Sequence, residues 1–289
     1  MTELKPVEIT CITMNIPVKV LDHGVVVLLD VMGTDKTITD SARISYAAKK
    51  ENSKPQSSDR DLLRFLMRSQ HMTPFEMCEM RFFVKAPIFV FRQWHRHRTA
   101  SINELSGRYI EIGDDTYTPS KFRLQSKTNK QGSSSESIAH EIGCYDKTFT
   151  EHQQLLNKGV AREMARIILP VGVYSEMYWK CDLRNIFHFL GLRMDHAAQW
   201  EIRQYANIMA KMVEEKFPLA YEAFEDYALN AVTFTRPELD TINKYNEELG
   251  LKGFNPDNGM TRREKKEFLR KVQKLGGAIS TAVFEDKGY

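Results

Sequence analysis

Between Arg92 and Tyr109 the chain reads RQWHRHRTASINELSGRY, and no other stretch limits so sharply what the rest can be. Six of its residues, Arg92, His95, Arg96, His97, Arg98 and Arg108, carry or can take a positive charge. Between them stand Gln93, Ser101, Asn103, Glu104 and Ser106, whose hydrogen bonds point in fixed directions, and Gly107, which lets a backbone come close to a ligand. Three arrangements accommodate such a run. One is the basic last turn of a helix, where cations suit the dipole; a second is a patch that grips nucleic-acid backbone. The third is a pocket that holds phosphate and reads a polar ring. Guanidinium forks match phosphate oxygens bidentately, and the mixture with hydroxyl, amide and carboxylate groups favours the pocket.

Composition narrows the partners. The 289 residues, 42% hydrophobic and 27% charged, are enough for one large domain or two small ones with a sizeable core. Lys+Arg at 41 against Asp+Glu at 38 is nearly balanced, so no global field draws the chain to nucleic acid or a membrane, and its basicity is local. Cys11, Cys78, Cys144 and Cys181 are scattered without metal-ligand spacing, and nothing marks a secretory signal. Free thiols in a cytoplasmic protein without a metal are the simplest expectation. No apolar run is long enough to span a bilayer. A Gly-rich dinucleotide fingerprint and a Walker loop are both absent, so any nucleotide must be held by side chains and ordinary loops.

Pattern and punctuation predict the elements. A strand-prone lead-in runs to about Val20, with a hairpin turn at Asp22-His23-Gly24. A helix capped by Asp40 carries Ser45, by itself a helix-surface hydroxyl. A polar loop from Lys50 to Asp59 precedes a helix from Arg60 to Gln70. Thr73, Pro74 and Glu76 read as a capping box, with His71 as a loop histidine just before it. A strand from Glu79 to Lys85 leads to a short helix through Trp94, with Phe91 and Trp94 in the core. The stretch from Arg123 to Glu136 reads as an exposed loop. Helices are expected over Ser137 to Lys158 and Val160 to Leu169, the second burying Ala161, Met164, Ala165 and Ile168 and turning Arg166 outward. Then come a strand over Val171 to Lys180 and a helix capped by Asp182 that buries Leu183, Ile186, Phe187 and Leu190. Arg184 and His188, spaced i and i+4, share its other face as an anion or adenine contact. Arg193 follows as an ordinary helix-end cation. A long amphipathic helix spans Ala197 to Phe217, a second reaches about Asn230, and a charged tail carries a capped helix from Arg262 to Leu275.

Several of these segments together resemble the flavin-dependent thymidylate synthases. Arg96-His97-Arg98, seven residues, then Ser106-Gly107-Arg108-Tyr109 is similar to that family's signature. TPFE from Thr73, KAPIFVFRQW from Lys85, ARIILP from Ala165 and AQWEIRQYA from Ala198 fall in the same order. The resemblance reaches from about Asp22 to about Tyr227. It implies an α+β fold with a twisted, mainly antiparallel sheet flanked by helices, a catalytic domain over residues 1–234, and a helical extension over 235–289 of unnamed role. It also implies reductive methylation of dUMP to dTMP, with methylene-tetrahydrofolate giving the carbon, reduced FAD the hydride, and NADPH restoring the flavin. A homotetramer with sites shared between subunits is the family's habit.

Carried over residue by residue, the resemblance places non-covalent FAD at Ser45, His71, Thr73, Arg96, His97, Arg98, Glu104, Asp182, Arg184 and His188. It places dUMP at Gln93, Arg96, Glu104, Leu105, Ser106, Gly107, Arg108, Arg166 and Arg193, with Arg193 the catalytic group. Two positions depart from the family pattern: Met77 stands where many members have a second histidine, and Asp182 where asparagine is usual. Cys78, in the apolar context of Met77, Met80, Phe82 and Phe83, reads as a small buried hydrophobe and not a nucleophile. A nucleic-acid-binding module is the rival reading of the basic run. It predicts a broad cationic stripe with stacking aromatics.

Overall fold

The computed structural model describes residues 14–44, 58–127 and 132–237. The chain divides into two units, residues 1–230 and 231–289, and the elements described here lie in the first. Ser45, the lead-in before residue 14, Cys11 and the expected tail helix fall outside the described residues.

The centre is a five-stranded antiparallel sheet in the order β1 (Val18–Val20), β2 (Gly24–Met32), β3 (Glu79–Pro87), β7 (Tyr174–Asp182), β4 (Ser101–Glu104). A tight hairpin at the expected turn pairs Val20 with Gly24. Strand alternation decides which face is covered. Met80, Phe82, Val84 and Ala86 of β3 and Met177, Trp179 and Cys181 of β7 point inward and are buried. Phe83 and Tyr178, paired in register, meet edge to face on the opposite side, where Tyr178 is half exposed.

Helices cover the buried face. They are α1 (Asp35–Arg43), α2 (Asp59–Arg68), α3 (Ile88–Trp94), α6 (Leu183–Arg193), α7 (Trp200–Lys216) and α8 (Pro218–Phe224), while α4 (Tyr145–Asn157) and α5 (Arg162–Ala165) pack on each other and add no residue to that core. Helix α6 buries Leu183, Ile186, Phe187 and Leu190, as its periodicity predicts. The Trp94 ring lies 4.7 Å from Phe189, 5.8 Å from Trp179 and 5.9 Å from Tyr205, so α3, α6, α7 and β7 share one aromatic knot. Truncating a side chain as large and as fully buried as Trp94 costs about 3–5 kcal/mol. That knot fixes the end of α3, where the basic run begins.

Five local expectations are corrected. The first helix starts at Asp35, because Thr34 and Thr37 form its start: Thr34 N donates to Thr37 Oγ1 at 3.0 Å. Asp40 lies inside the helix and pairs with Lys36 at 2.8 Å. Thr73–Met77 is a 3-10 turn without a side-chain cap, since Glu76 is drawn away to Arg184. Residues 123–136 are not a loop throughout. Phe122–Gln125 (β5) and Ser133–Ile138 (β6) form a hairpin; β5 alternates Phe122 and Leu124 with Arg123 and Gln125 over only four residues, and β6 is polar up to Ile138, so no sustained alternation reveals it. For the same reason the expected helix from Ser137 begins only at Tyr145. The segment Val160 to Leu169 breaks into α5 and a 3-10 turn, Arg166–Ile168, which buries Ala165 but leaves Ala161 and Met164 exposed.

Candidate active site

Helix α6 is the wall on which the site is built. Asp182 caps it, accepting from Asn185 N at 3.0 Å and from the Asn185 amide at 2.7 Å, so its carboxylate is committed to the helix start. From Arg184 to Arg193 the helix rises about 14 Å at roughly 1.5 Å per residue, and besides Asn185 it carries Arg184, His188 and Arg193.

At its first turn Arg184 forms an ion pair with Glu76. Phe75 meets Phe187 at 6.1 Å and pins the 3-10 turn to the helix, which brings Glu76 within reach and leaves Thr73 exposed beside it. His71, exposed, packs edge-on against Phe65 at 5.6 Å.

At its last turn Arg193 is held by the basic run itself. Its Nε donates to His97 Nε2 at 2.9 Å, and its Nη2 donates to the backbone carbonyl of Gln93 at 3.2 Å. His97 is only 9% exposed, packed edge-on against Phe189 at 4.9 Å and His188 at 5.7 Å. Burial, then the Arg193 charge, then His188 push its imidazole down to about 4, so it is neutral near pH 7. Burial also lowers the Arg193 pKa, though a guanidinium starts so high that it stays charged.

The rest of the run splits by direction. Arg92, Arg96 and Arg98 are exposed, and among the described residues none has a carboxylate within ion-pair distance. His95 stacks on Phe91 at 6.0 Å, and its Nε2 lies 3.6 Å from Glu104, which accepts from the Ser175 hydroxyl at 2.9 Å. The β4 to β7 register, Glu104 opposite Met177, sets that contact. Leu105 continues the strand through a bond to Glu176 O at 2.8 Å.

Ser106, Gly107 and Arg108 form a turn beside α5. Arg108 pairs with Glu163 at 3.2 Å, both exposed. A Cβ on Gly107 would lie 2.7 Å from Ile112 Cδ1 and 3.3 Å from Arg166 Cδ. The sequence assigns this glycine to close backbone approach by a ligand. Within the chain its missing side chain makes room for Ile112 and for the stem of Arg166.

Gln93 bonds to the Gln199 side chain at the start of α7. Behind Gln199 lies a cavity of about 500 Å³ bordered by Phe89, Tyr117, Arg123, Glu201 and Arg203. Its buried carboxylate, Glu201, is held by Arg123 and by the Tyr117 hydroxyl at 3.0 Å. That set ties the β5–β6 hairpin to α7. Among the described residues no cluster of three or more His, Cys, Asp or Glu side chains is arranged for a metal, and no helix is long and apolar enough to cross a membrane.

Sequence reasoning misses most of these pairings. Glu76 as the partner of Arg184, Ser175 beside Glu104 and Gln199 against Gln93 have no local signal, since each partner lies more than 70 residues away. Cys78 is fully buried, its Sγ 3.7 Å from Thr34 O, and burial pushes its thiol up to about 11. These surroundings disfavour a thiolate and suit a small buried hydrophobe.

The family described as thymidylate synthase complementing protein matches residues 27–219. A flavin-dependent thymidylate synthase of Thermus thermophilus is 48% identical over 230 residues, covering 78% of this chain and 84% of the relative. One from Wolbachia pipientis wMel is 44% identical over 236 residues, covering 78% and 82%. Among solved structures, a UMP/dUMP methylase from Streptomyces cacaoi bound with 5-Br dUMP is 33% identical. It superposes with a TM-score of 0.63 over 74% of this chain and all of that one.

Proposed function

This chain belongs to the flavin-dependent thymidylate synthase family, and from that premise we propose that it methylates dUMP reductively to dTMP, with Arg193 as the catalytic group. The observation that carries the residue assignment is the anchoring of Arg193. One edge of its guanidinium is fixed by His97 and Gln93, and among the described residues three of its five N–H donors have no partner and can meet a ligand.

The donor set fits FAD. Arg96 and Arg98 are exposed cations without a carboxylate partner among the described residues, so the loop offers donors that the described residues do not use. Arg96, Arg98, Glu104, Thr73, Arg184, His188 and His71 would hold the cofactor together with Ser45 and Asp182; His97, the remaining member of the set that the family resemblance names, turns its ring inward onto Arg193. Reduced FAD, when bound, supplies the hydride to a one-carbon unit brought by methylene-tetrahydrofolate, and NADPH is the reductant.

The chain's own residues bind, orient and polarise. Gln93, Ser106, Arg108 and Arg166 take the phosphate and sugar of dUMP, with the backbone from Glu104 through Leu105 and Gly107 around it. For that, Arg108 exchanges its solvent-exposed pair with Glu163, worth at most about 1 kcal/mol, for a bidentate phosphate contact. Uracil C5 is a poor nucleophile. A guanidinium beside N3 and O2 stabilises the N3 anion and so moves electron density to C5. The group stays cationic throughout, which suits arginine better than lysine. Arg166, on the short turn beside α5, would serve a neighbouring subunit's site in a cytoplasmic homotetramer.

The test is direct. Purified protein should be yellow. Anaerobic, chemically reduced enzyme should oxidise its flavin in one turnover when given dUMP and methylene-tetrahydrofolate together, with dTMP identified by mass. A protein that takes up no FAD on titration, or one whose flavin oxidation leaves dUMP unmethylated, would defeat the reading. The domain proposal has its own test: a chain ending at Phe234 should keep this single turnover, and loss of it with folding and assembly intact would put the extension in the site.

A further inference from the structure

An arginine at the end of a helix ordinarily has several rotamers open to it, and fixing such a side chain has an entropic cost of about 2 kcal/mol. At Arg193 two acceptors on one side remove that freedom. The Gln93 carbonyl lies 3.2 Å from Nη2, and His97 Nε2 lies 2.9 Å from Nε. An imidazole nitrogen that accepts from a guanidinium must carry a lone pair, so the hydrogen of this ring sits on Nδ1. The ring itself is held: it is nearly buried, with Phe189 at 4.9 Å and His188 at 5.7 Å, both on α6. Its neighbours Arg96 and Arg98 are exposed while it points inward, so the three members of the basic triplet do not share one direction.

Resting on the catalytic reading of Arg193 given above and deepening it, we propose that His97 is the positioning residue of that arginine: a neutral, Nδ1-protonated imidazole that locks the guanidinium by its Nε edge and aims the remaining three N–H donors at the pyrimidine. It acts through Arg193. This separates it from Arg96 and Arg98, which the proposed function sets against the cofactor itself. The charged and titratable groups facing the ring are Arg193 and His188, both on α6. A proton on Nε2 would turn the acceptor into a second donor against a cation and break the lock. The low imidazole pKa, about 4, keeps that state away from neutral pH.

Two arms test this on the full chain. In ¹⁵N-histidine NMR of the FAD-loaded protein without substrate, the His97 resonances, assigned by their loss in His97→Gln, should show a neutral ring protonated at Nδ1 from about pH 8 down to about pH 5, well above the lowered pKa. An Nε2-protonated ring, or one that titrates with an ordinary histidine pKa, would overturn the proposal. In the second arm, His97→Phe keeps a ring against Phe189 and removes the acceptor. It should retain FAD and a near-normal KM for dUMP while single-turnover flavin oxidation slows on the order of 100-fold, the usual effect of a misplaced catalytic group. His97→Gln, which carries an amide oxygen near the Nε2 position, should recover most of that loss. Loss of FAD from both variants would make His97 a direct cofactor ligand, and an unslowed His97→Phe would leave Arg193 positioned without it; either result refutes the proposal. If His97→Phe fails to fold, the tautomer decides alone. A wild-type protein with the stated tautomer that makes no dTMP would defeat the proposed function and leave the lock standing.

Discussion

Two arginine-rich regions of this chain have opposite fates. On α2, Arg60 meets Glu222 through Nε and Nη2 at 3.0 and 2.7 Å. Arg64 donates to Glu222 at 2.7 Å, to Asp226 at 2.6 Å and to the Tyr227 hydroxyl at 2.8 Å, with its guanidinium 4.8 Å from that ring. The bonds and charges of Arg60 and Arg64 hold the Glu222 carboxyl below its usual range. In the Arg92 to Arg98 run, three arginines face outward without an acid among the described residues. The number of cations in a segment does not distinguish the two. What distinguishes them is whether the fold supplies the counter-charges: matched arginines fasten α2 to α8, and those without a partner among the described residues stay open to the cofactor proposed above.

The comparison breaks first at Arg193. Arg193→Lys keeps the charge but loses the fork that meets His97 and Gln93 together, and single-turnover flavin oxidation should fall by roughly 10²- to 10³-fold, the order expected for losing a transition-state donor. Thermal unfolding should barely move. A lysine enzyme with near wild-type turnover would show that charge alone suffices. Arg98→Ala should come next: FAD binding weakened about tenfold or more, as for one lost charge-assisted hydrogen bond, in a protein as stable as the parent. Flavin absorbance per chain and a urea titration measure the two halves of that statement.

On the matched side the pattern should invert. Arg64→Ala removes a part-buried cation from two carboxylates and a hydroxyl, and should cost about 2 kcal/mol of stability by urea unfolding while FAD content and turnover stay unchanged. Lost turnover there would erase the distinction between the regions. The smallest effect is expected for Cys78→Ser. The thiol is buried with its pKa pushed up to about 11, so the serine variant should turn over within a few-fold of wild type and lose about 1 kcal/mol of stability.

The residues in these tests differ in how far they can be read without coordinates. Leu183, Ile186, Phe187 and Leu190 follow from a helical period, and the inward face of β3 from strict alternation, because packing against a sheet imposes both. The basic run is visible as a cluster because its members are neighbours in sequence. What sequence does not carry is direction and pairing. His97 turns inward between two arginines that turn outward, a choice made by Phe189 and Arg193 nearly a hundred residues on. Glu76 reads as a capping residue until Arg184 competes for it. The β5–β6 hairpin is unreadable for another reason. β6 is exposed almost throughout, so polar residues suit both its sides and no periodicity is imposed on it, and the alternation of Phe122 and Leu124 in β5 spans only four residues.

The register of β4 against β7 has a consequence for which lengths of chain this architecture tolerates. Four residues of β4 are paired with β7, and Glu104 reaches Ser175 only because it stands opposite Met177. Side chains alternate across a strand, so one residue inserted or deleted between Arg98 and Ser101 that slid β4 by a single step would send Glu104 to the other face and present Asn103, after an insertion, or Leu105, after a deletion, in its place. Every residue would still be present, and the site would be dismantled. The count of residues in that short connection is therefore as much a determinant of the site as the identity of any side chain in it. Insertions between β5 and β6, whose strands among the described residues pair only with each other, should pass without such a penalty.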